Sequence, residues 1–205
     1  MTAAMLAAYP ERFAGGAIVA GVPYGCADTV AKALECMKPG IDQTPAEWRR
    51  RVRNSAGGDG RAPPVSIWHG AADERVVPRN RQELVEQWTA VHGIAGRPAR
   101  HGRSGPLTRE VYTDDAGVAL VESVLVNGLG HAFPIRTEST SSCGEPGEFV
   151  ASTEVCVAPL WRSVTGFTGE PQVIRGMAEL QGEPGQPPRV LAIDGRETCF
   201  LKKFL

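Results

Sequence analysis

Two residues have the types and spacing that acyl-transfer chemistry needs, and each stands just past an apolar run. Asp73 lies in VSIWHGAADERVVPRN, residues 65–80, a few positions beyond Val65–Trp68. His131 lies in GLGHAFP, directly after VALVESVLVNG. A carboxylate beside an imidazole fixes the ring's tautomer and stabilises the imidazolium that forms when the ring takes a proton. The partner they would serve is a hydroxyl, a poor nucleophile near neutral pH until a base removes its proton. Taken singly, each residue has a plainer reading. An aspartate after a strand is a common turn former or helix N-cap, and a glycine-flanked histidine is a common loop residue. Both follow strands, and the acid precedes the histidine, so the catalytic reading is the sharper one.

That reading requires a sheet whose strand ends meet at one edge. Residues 2–9 have the pattern of a helix stopped by Pro10. GGAIVAGVPYG predicts a short strand, Ala17 to Ala20, and a Gly/Pro loop. DTVAKALECMK has helical spacing, and Thr44, Pro45 and Glu47 in TPAEWRRRVRNS form a strong helix start. NSAGGDGRAPP is a loop, and Val65 to Trp68 reads as a buried strand. PRNRQELVEQWTAVH puts Leu84, Val85, Trp88 and Val91 on one helix face. GIAGRPARHGRSGP reads as a flexible basic loop. REVYT and VALVESVLVNG are strands joined by the turn DDAG. Residues 149–167 are expected to form a last helix with Trp161 and Phe167 inward. From 168 onward the chain is rich in Gly and Pro and lacks periodicity, so it reads as a poorly packed tail. The order is that of a layered α/β sheet, with loops at the carboxyl ends of strands carrying the chemistry.

Composition narrows the function classes. A chain of 205 residues holds one domain with a substantial core. The net charge of −1 gives no electrostatic case for nucleic acid or an anionic membrane, and no apolar run is long enough to span a bilayer. The five cysteines include no CxxC pair, and His and Cys spacings fit no zinc site, so no metal is expected. Two bridges and a free thiol are compatible with export, and the sequence alone does not choose the pairing. Arg49, Arg50, Arg51 and Arg53 read as a solvated helix face. MTAAMLAAYPERF has neither the basic nor the apolar region of a signal peptide and opens directly on a helix, which predicts a truncated chain or a start codon assigned too late.

AAYPERFAGGAIVAGVPYGCA, PVSIWHGAADERVVPRNRQELVEQWTAVHG, GLGHAFPI and CGEPGEFV resemble the esterases of the polyhydroxybutyrate depolymerase family, which includes feruloyl and acetylxylan esterase-like members. The similarity covers residues 1 to about 167, and the WHGxADxxVxPxN block is its most specific part. The resemblance implies an α/β-hydrolase-type, mostly parallel sheet flanked by helices and lacking its N-terminal strands. Residues 1–167 would be the C-terminal part of that domain, and 168–205 an atypical tail. It places the family's acid on Asp73 and its histidine on His131. It implies hydrolysis of short-chain hydroxyalkanoate or feruloyl/acetyl esters without a cofactor, in an extracellular setting, on a polyester oligomer or a plant cell-wall ester. The serine, in a G-x-S-x-G-G elbow, would precede Met1, as would part of the oxyanion hole. It also favours a Cys26–Cys36 bridge, with two buried thiols as the alternative.

Ser55 in NSAGG imitates such an elbow, but Arg53 replaces the required glycine, no strand leads in, and DGRAPP cannot form the following helix. Among the other histidines, His69 is expected to order the acid loop or simply pack, His92 to complement a helix dipole as a cation, and His101 to sit in the basic loop. Three readings remain for the chain as given: half of a serine esterase site, a catalytically inactive fragment or interaction domain, and a lipid- or polymer-binding hydrolase-like module. A sheet without its early strands would leave an exposed edge.

Overall fold

The alternation-free run between Pro64 and Ala71 becomes the central strand β2, Val65–Gly70, buried on both faces along its whole length. The computed structural model describes residues 1–55, 61–137, 142–157, 191–193 and 196–199. On one side β2 pairs in parallel with β1, Phe13–Val19, and on the other with β5, Ala119–Val126. The hairpin of β3, Arg100–Ser104, and β4, Leu107–Thr113, adds antiparallel strands beyond β5. The sheet order is β3-β4-β5-β2-β1-β9-β8, with β8 at Leu191–Ile193 and β9 at Arg196–Cys199. This is the expected α/β class, a mixed sheet with a parallel centre flanked by helices.

Side chains alternate along each strand, so the sheet supports two cores. Val65, Ile67, Ile18 and Val121 face Leu6 of α1 (Thr2–Ala8), Val52 of α3 (Pro45–Arg53), and Leu84, Val85 and Trp88 of α4 (Arg79–His92). Each such fully buried side chain contributes roughly 1.5–3 kcal/mol relative to exposure. On the opposite face Trp68, Val124 and Val126 pack against Leu129, Phe133, Ile135 and Val155. Helix starts and stops follow the sequence signals. Thr44 caps α3 by accepting from the Glu47 amide at 3.2 Å. Gly93, at φ 70°, ends α4 in the left-handed conformation that glycine adopts without strain.

Several expectations change. The basic loop contains β3, whose residues are all exposed. An edge strand with no buried face needs no apolar alternation, and so leaves no signal. The last-helix reading fails at its start, because Val150–Ser152 is a strand, β7, parallel to β6, Phe133–Ile135. Trp161 and Phe167 lie outside the described residues. β1 does not present a bare edge, since β9 pairs with it in parallel. Disulfides join Cys26 to Cys36, across α2 (Val30–Met37), and Cys143 to Cys156. No helix among the described residues is long and apolar enough to cross a membrane.

Candidate active site

The carboxyl ends of β2 and β5 are neighbours, and the loops leaving them are fastened together. The Ala71 amide donates to the Val126 carbonyl and the Ala72 amide to the Leu129 carbonyl, each at 2.9 Å. This close approach depends on Gly70. A Cβ there would lie 2.1 Å from the Leu129 carbonyl oxygen and 2.4 Å from that of Gly130. The histidine loop therefore lies directly on the end of β2.

Asp73 turns inward from the first loop. Its Oδ1 accepts from the Arg75 and Val76 amides at 3.0 and 2.9 Å, a local turn that fixes the carboxylate plane. Its Oδ2 is 2.8 Å from His131 Nδ1. The carboxylate is fully buried, while the His131 side chain keeps 17% of its exposure. Because the carboxylate only accepts, Nδ1 carries the proton and Nε2 keeps its lone pair. The two residues picked from the sequence thus meet as an acid oriented towards a base.

A second imidazole also faces the acid. His69 Nε2 lies 2.7 Å from the Val76 carbonyl and 3.4 Å from Asp73 Oδ2. The carbonyl assigns the Nε2 proton to His69, whose buried Nδ1 has no hydrogen-bond partner. Burial alone would push the Asp73 carboxyl up. Hydrogen bonds from His131, His69 and the Val76 amide outweigh it and hold the carboxyl well below the usual carboxylate range.

The remaining candidates separate from this pair. The Ser55 hydroxyl lies 2.6 Å from both the Ala7 and Val52 carbonyls, capping the end of α3 rather than meeting an imidazole. His92 is not the helix-end cation expected of it. Burial depresses its pKa to about 4, and its Nε2 contacts the Pro63 carbonyl at 3.2 Å. His101 sits exposed in β3. Among the described residues, no serine hydroxyl is hydrogen-bonded to His131, and no group of three or more His, Cys, Asp or Glu could hold a metal.

Sequence reasoning missed Phe149. Its ring meets His131 edge-on, with centroids 5.9 Å apart and planes at 74°, and the Arg75 guanidinium lies over the ring, 5.0 Å from its centroid. The only sequence signal was its place in CGEPGEFV, where neither periodicity nor spacing singles it out.

No family model matches the chain. It is 40% identical over 158 residues to poly(3-hydroxyalkanoate) depolymerase C of Paucimonas lemoignei, covering 76% of this chain and 38% of that protein. It is 36% identical over 141 residues to an acetylxylan esterase of Coprinopsis cinerea, covering 65% of this chain and 37% of the relative. For feruloyl esterase B of Neurospora crassa the identity is 38% over 145 residues, covering 67% and 49%. The solved acetyl xylan esterase from Aspergillus awamori superposes with a TM-score of 0.57 at 25% identity, over 63% of this chain and 49% of that one. The chain thus spans between 37% and 49% of the length of these curated relatives.

Proposed function

Taking as premise that the chain is homologous to poly(3-hydroxyalkanoate) depolymerase, acetylxylan esterase and feruloyl esterase, we propose that it carries the acid and the base of a serine carboxylic ester hydrolase. The observation behind this reading is the 2.8 Å contact between buried Asp73 and half-buried His131 at adjoining strand ends. Asp73 holds His131 as the Nδ1–H tautomer. His131 Nε2 takes the proton of a serine hydroxyl as that oxygen attacks the ester carbon, and Asp73 stabilises the imidazolium. The imidazolium then protonates the departing alcohol. In the second half, Nε2 takes a proton from water as the water oxygen attacks the acyl-enzyme, and the imidazolium returns that proton to the departing serine oxygen.

The serine belongs to a G-x-S-x-G elbow upstream of residue 1 in a longer protein. The substrates are short-chain hydroxyalkanoate, acetyl or feruloyl esters, and no cofactor takes part. Two disulfides support an extracellular setting, since such bridges persist in oxidising surroundings.

Hydrolysis of p-nitrophenyl acetate and butyrate tests this. The chain alone should turn over neither above a His131→Ala control. A version extended through the in-frame upstream segment should hydrolyse both, and lose that activity on His131→Ala and Asp73→Ala substitution. His131-dependent turnover by the chain alone would show that the nucleophile lies within it. An extended protein without turnover would support a second reading, a hydrolase-like domain without catalysis. That reading is motivated by the lack, among the described residues, of a serine hydroxyl on His131.

A further inference from the structure

Phe149 occupies a backbone conformation that its side chain disfavours. Its φ is 59°, the left-handed region where glycine is at ease and a bulky residue is an outlier. Such strain persists only where the surroundings enforce it, and the local surroundings do so. The Phe149 carbonyl accepts from the Phe133 amide at 2.7 Å. The next residue, Val150, begins β7, in register with Phe133 of β6. The segment is closed on itself by the Cys143–Cys156 bridge. Glycine would fill this backbone position without strain, so the ring is the part that needs explaining.

The ring joins two loops. It touches Arg75, two residues past Asp73 on the acid loop, and His131 on the histidine loop. An aromatic edge contact and a cation over a ring are each worth roughly 0.5–1.5 kcal/mol, enough to select one orientation of an imidazole that has a single strong hydrogen bond. The same contact holds the guanidinium against the phenyl ring. Asp73 Oδ1 meanwhile takes the Arg75 backbone amide, which leaves Oδ2 to the imidazoles.

We propose that Phe149 is a positioning residue for His131, a wedge between Arg75 and the imidazole that holds the ring with Nδ1 on Asp73. This rests on the reading of Asp73 and His131 as acid and base. Its role is to set the ring plane from which Nε2 faces the reacting hydroxyl.

The test is an NMR measurement on the chain labelled with 15N-histidine, reading the hydrogen-bonded Nδ1–H of His131 and its exchange with water. F149G removes the ring while accepting the backbone angle, F149L keeps apolar bulk without aromaticity, and F149Y keeps the ring. Exchange should be roughly tenfold faster in F149G and F149L and within about twofold of the original in F149Y. Thermal melts should show F149G folded. An unchanged proton in F149G or F149L would overturn the proposal, as would a Tyr variant that behaves like the Gly variant. If F149G fails to fold, F149L against F149Y decides alone. Absence of the Nδ1 proton from the unsubstituted chain would overturn both this inference and the acid–base reading. Loss of esterase activity in the extended protein with the proton intact would strike only the latter.

Discussion

A carboxylate that accepts from one imidazole and two backbone amides, with a second imidazole 3.4 Å away, has its charge spread over several donors. Asp73 stood out in the sequence because it precedes a histidine that also follows a strand; in the structure it both forms a local turn through Oδ1 and meets His131 through Oδ2. His69 was seen as a residue that orders the loop or packs, and the structure gives it a definite task, a proton shared between the Val76 carbonyl and Asp73. His69→Gln places an amide donor near the Nε2 position and should cost little. His69→Leu removes the donor and leaves a buried carbonyl unpaired, a loss of about 1–3 kcal/mol in urea unfolding. It should also move the Asp73 carboxyl pKa, followed by 13C NMR, back up. The sign of the pH effect follows from the depressed carboxyl. Its stabilisation is complete above the ordinary value of 3.8 and is lost as pH falls below that towards the lowered value. Unfolding midpoints should therefore drop on acidification below about 4, and less steeply in His69→Leu. Equal acid sensitivity in the two proteins would count against the His69 contribution.

Among the elements, the strands that carry the site were the easiest to read and the ones that steady it were not. β2 and β5 announce themselves because strands with both faces covered are rich in apolar and β-branched residues, and the polar exceptions Ser66 and Glu122 hydrogen-bond each other across the pair. The helix starting at Pro45 follows from its cap. β3 is fully exposed and so lacks apolar alternation even though its partner β4 follows directly, while β6 and β7 are three residues each and pair across a longer stretch of chain, which no local pattern encodes. The contribution of Gly70 was equally hidden, because it lies in the carbonyls it approaches rather than in its own neighbours. Gly70→Ala would drive a methyl against the Leu129 and Gly130 carbonyls. The predicted result is a loss of about 1–3 kcal/mol, together with displacement of the histidine loop, visible as loss of the His131 Nδ1 proton. A Gly70→Ala chain that keeps that proton would show the loops to be less tightly fastened than the geometry implies.

At the scale of the molecule, the fold class and the meeting of Asp73 with His131 were accessible because order along the chain and parallel pairing together bring successive strand ends to one edge. The cover on β1 was not, since β9 comes from a segment without periodicity. The pairing of the cysteines needed a resemblance for one bridge and coordinates for the other. The two cross-links lie in separate apolar clusters. Cys26–Cys36 braces α2, whose Met37 carbonyl receives the Val77 amide at 3.0 Å just past the acid loop. Cys143–Cys156 encloses Phe149 and β7, against the histidine. Treatment with dithiothreitol should therefore accelerate exchange at His131 before the sheet itself melts by circular dichroism. Simultaneous loss of both signals would mean that the clasps serve global stability alone. Each bridge thus adjoins the loop of one of the two residues, so material produced in a glutathione-rich cytosol should contain a recognisable sheet with a loosened Asp73–His131 contact, restored by an oxidant instead of by refolding.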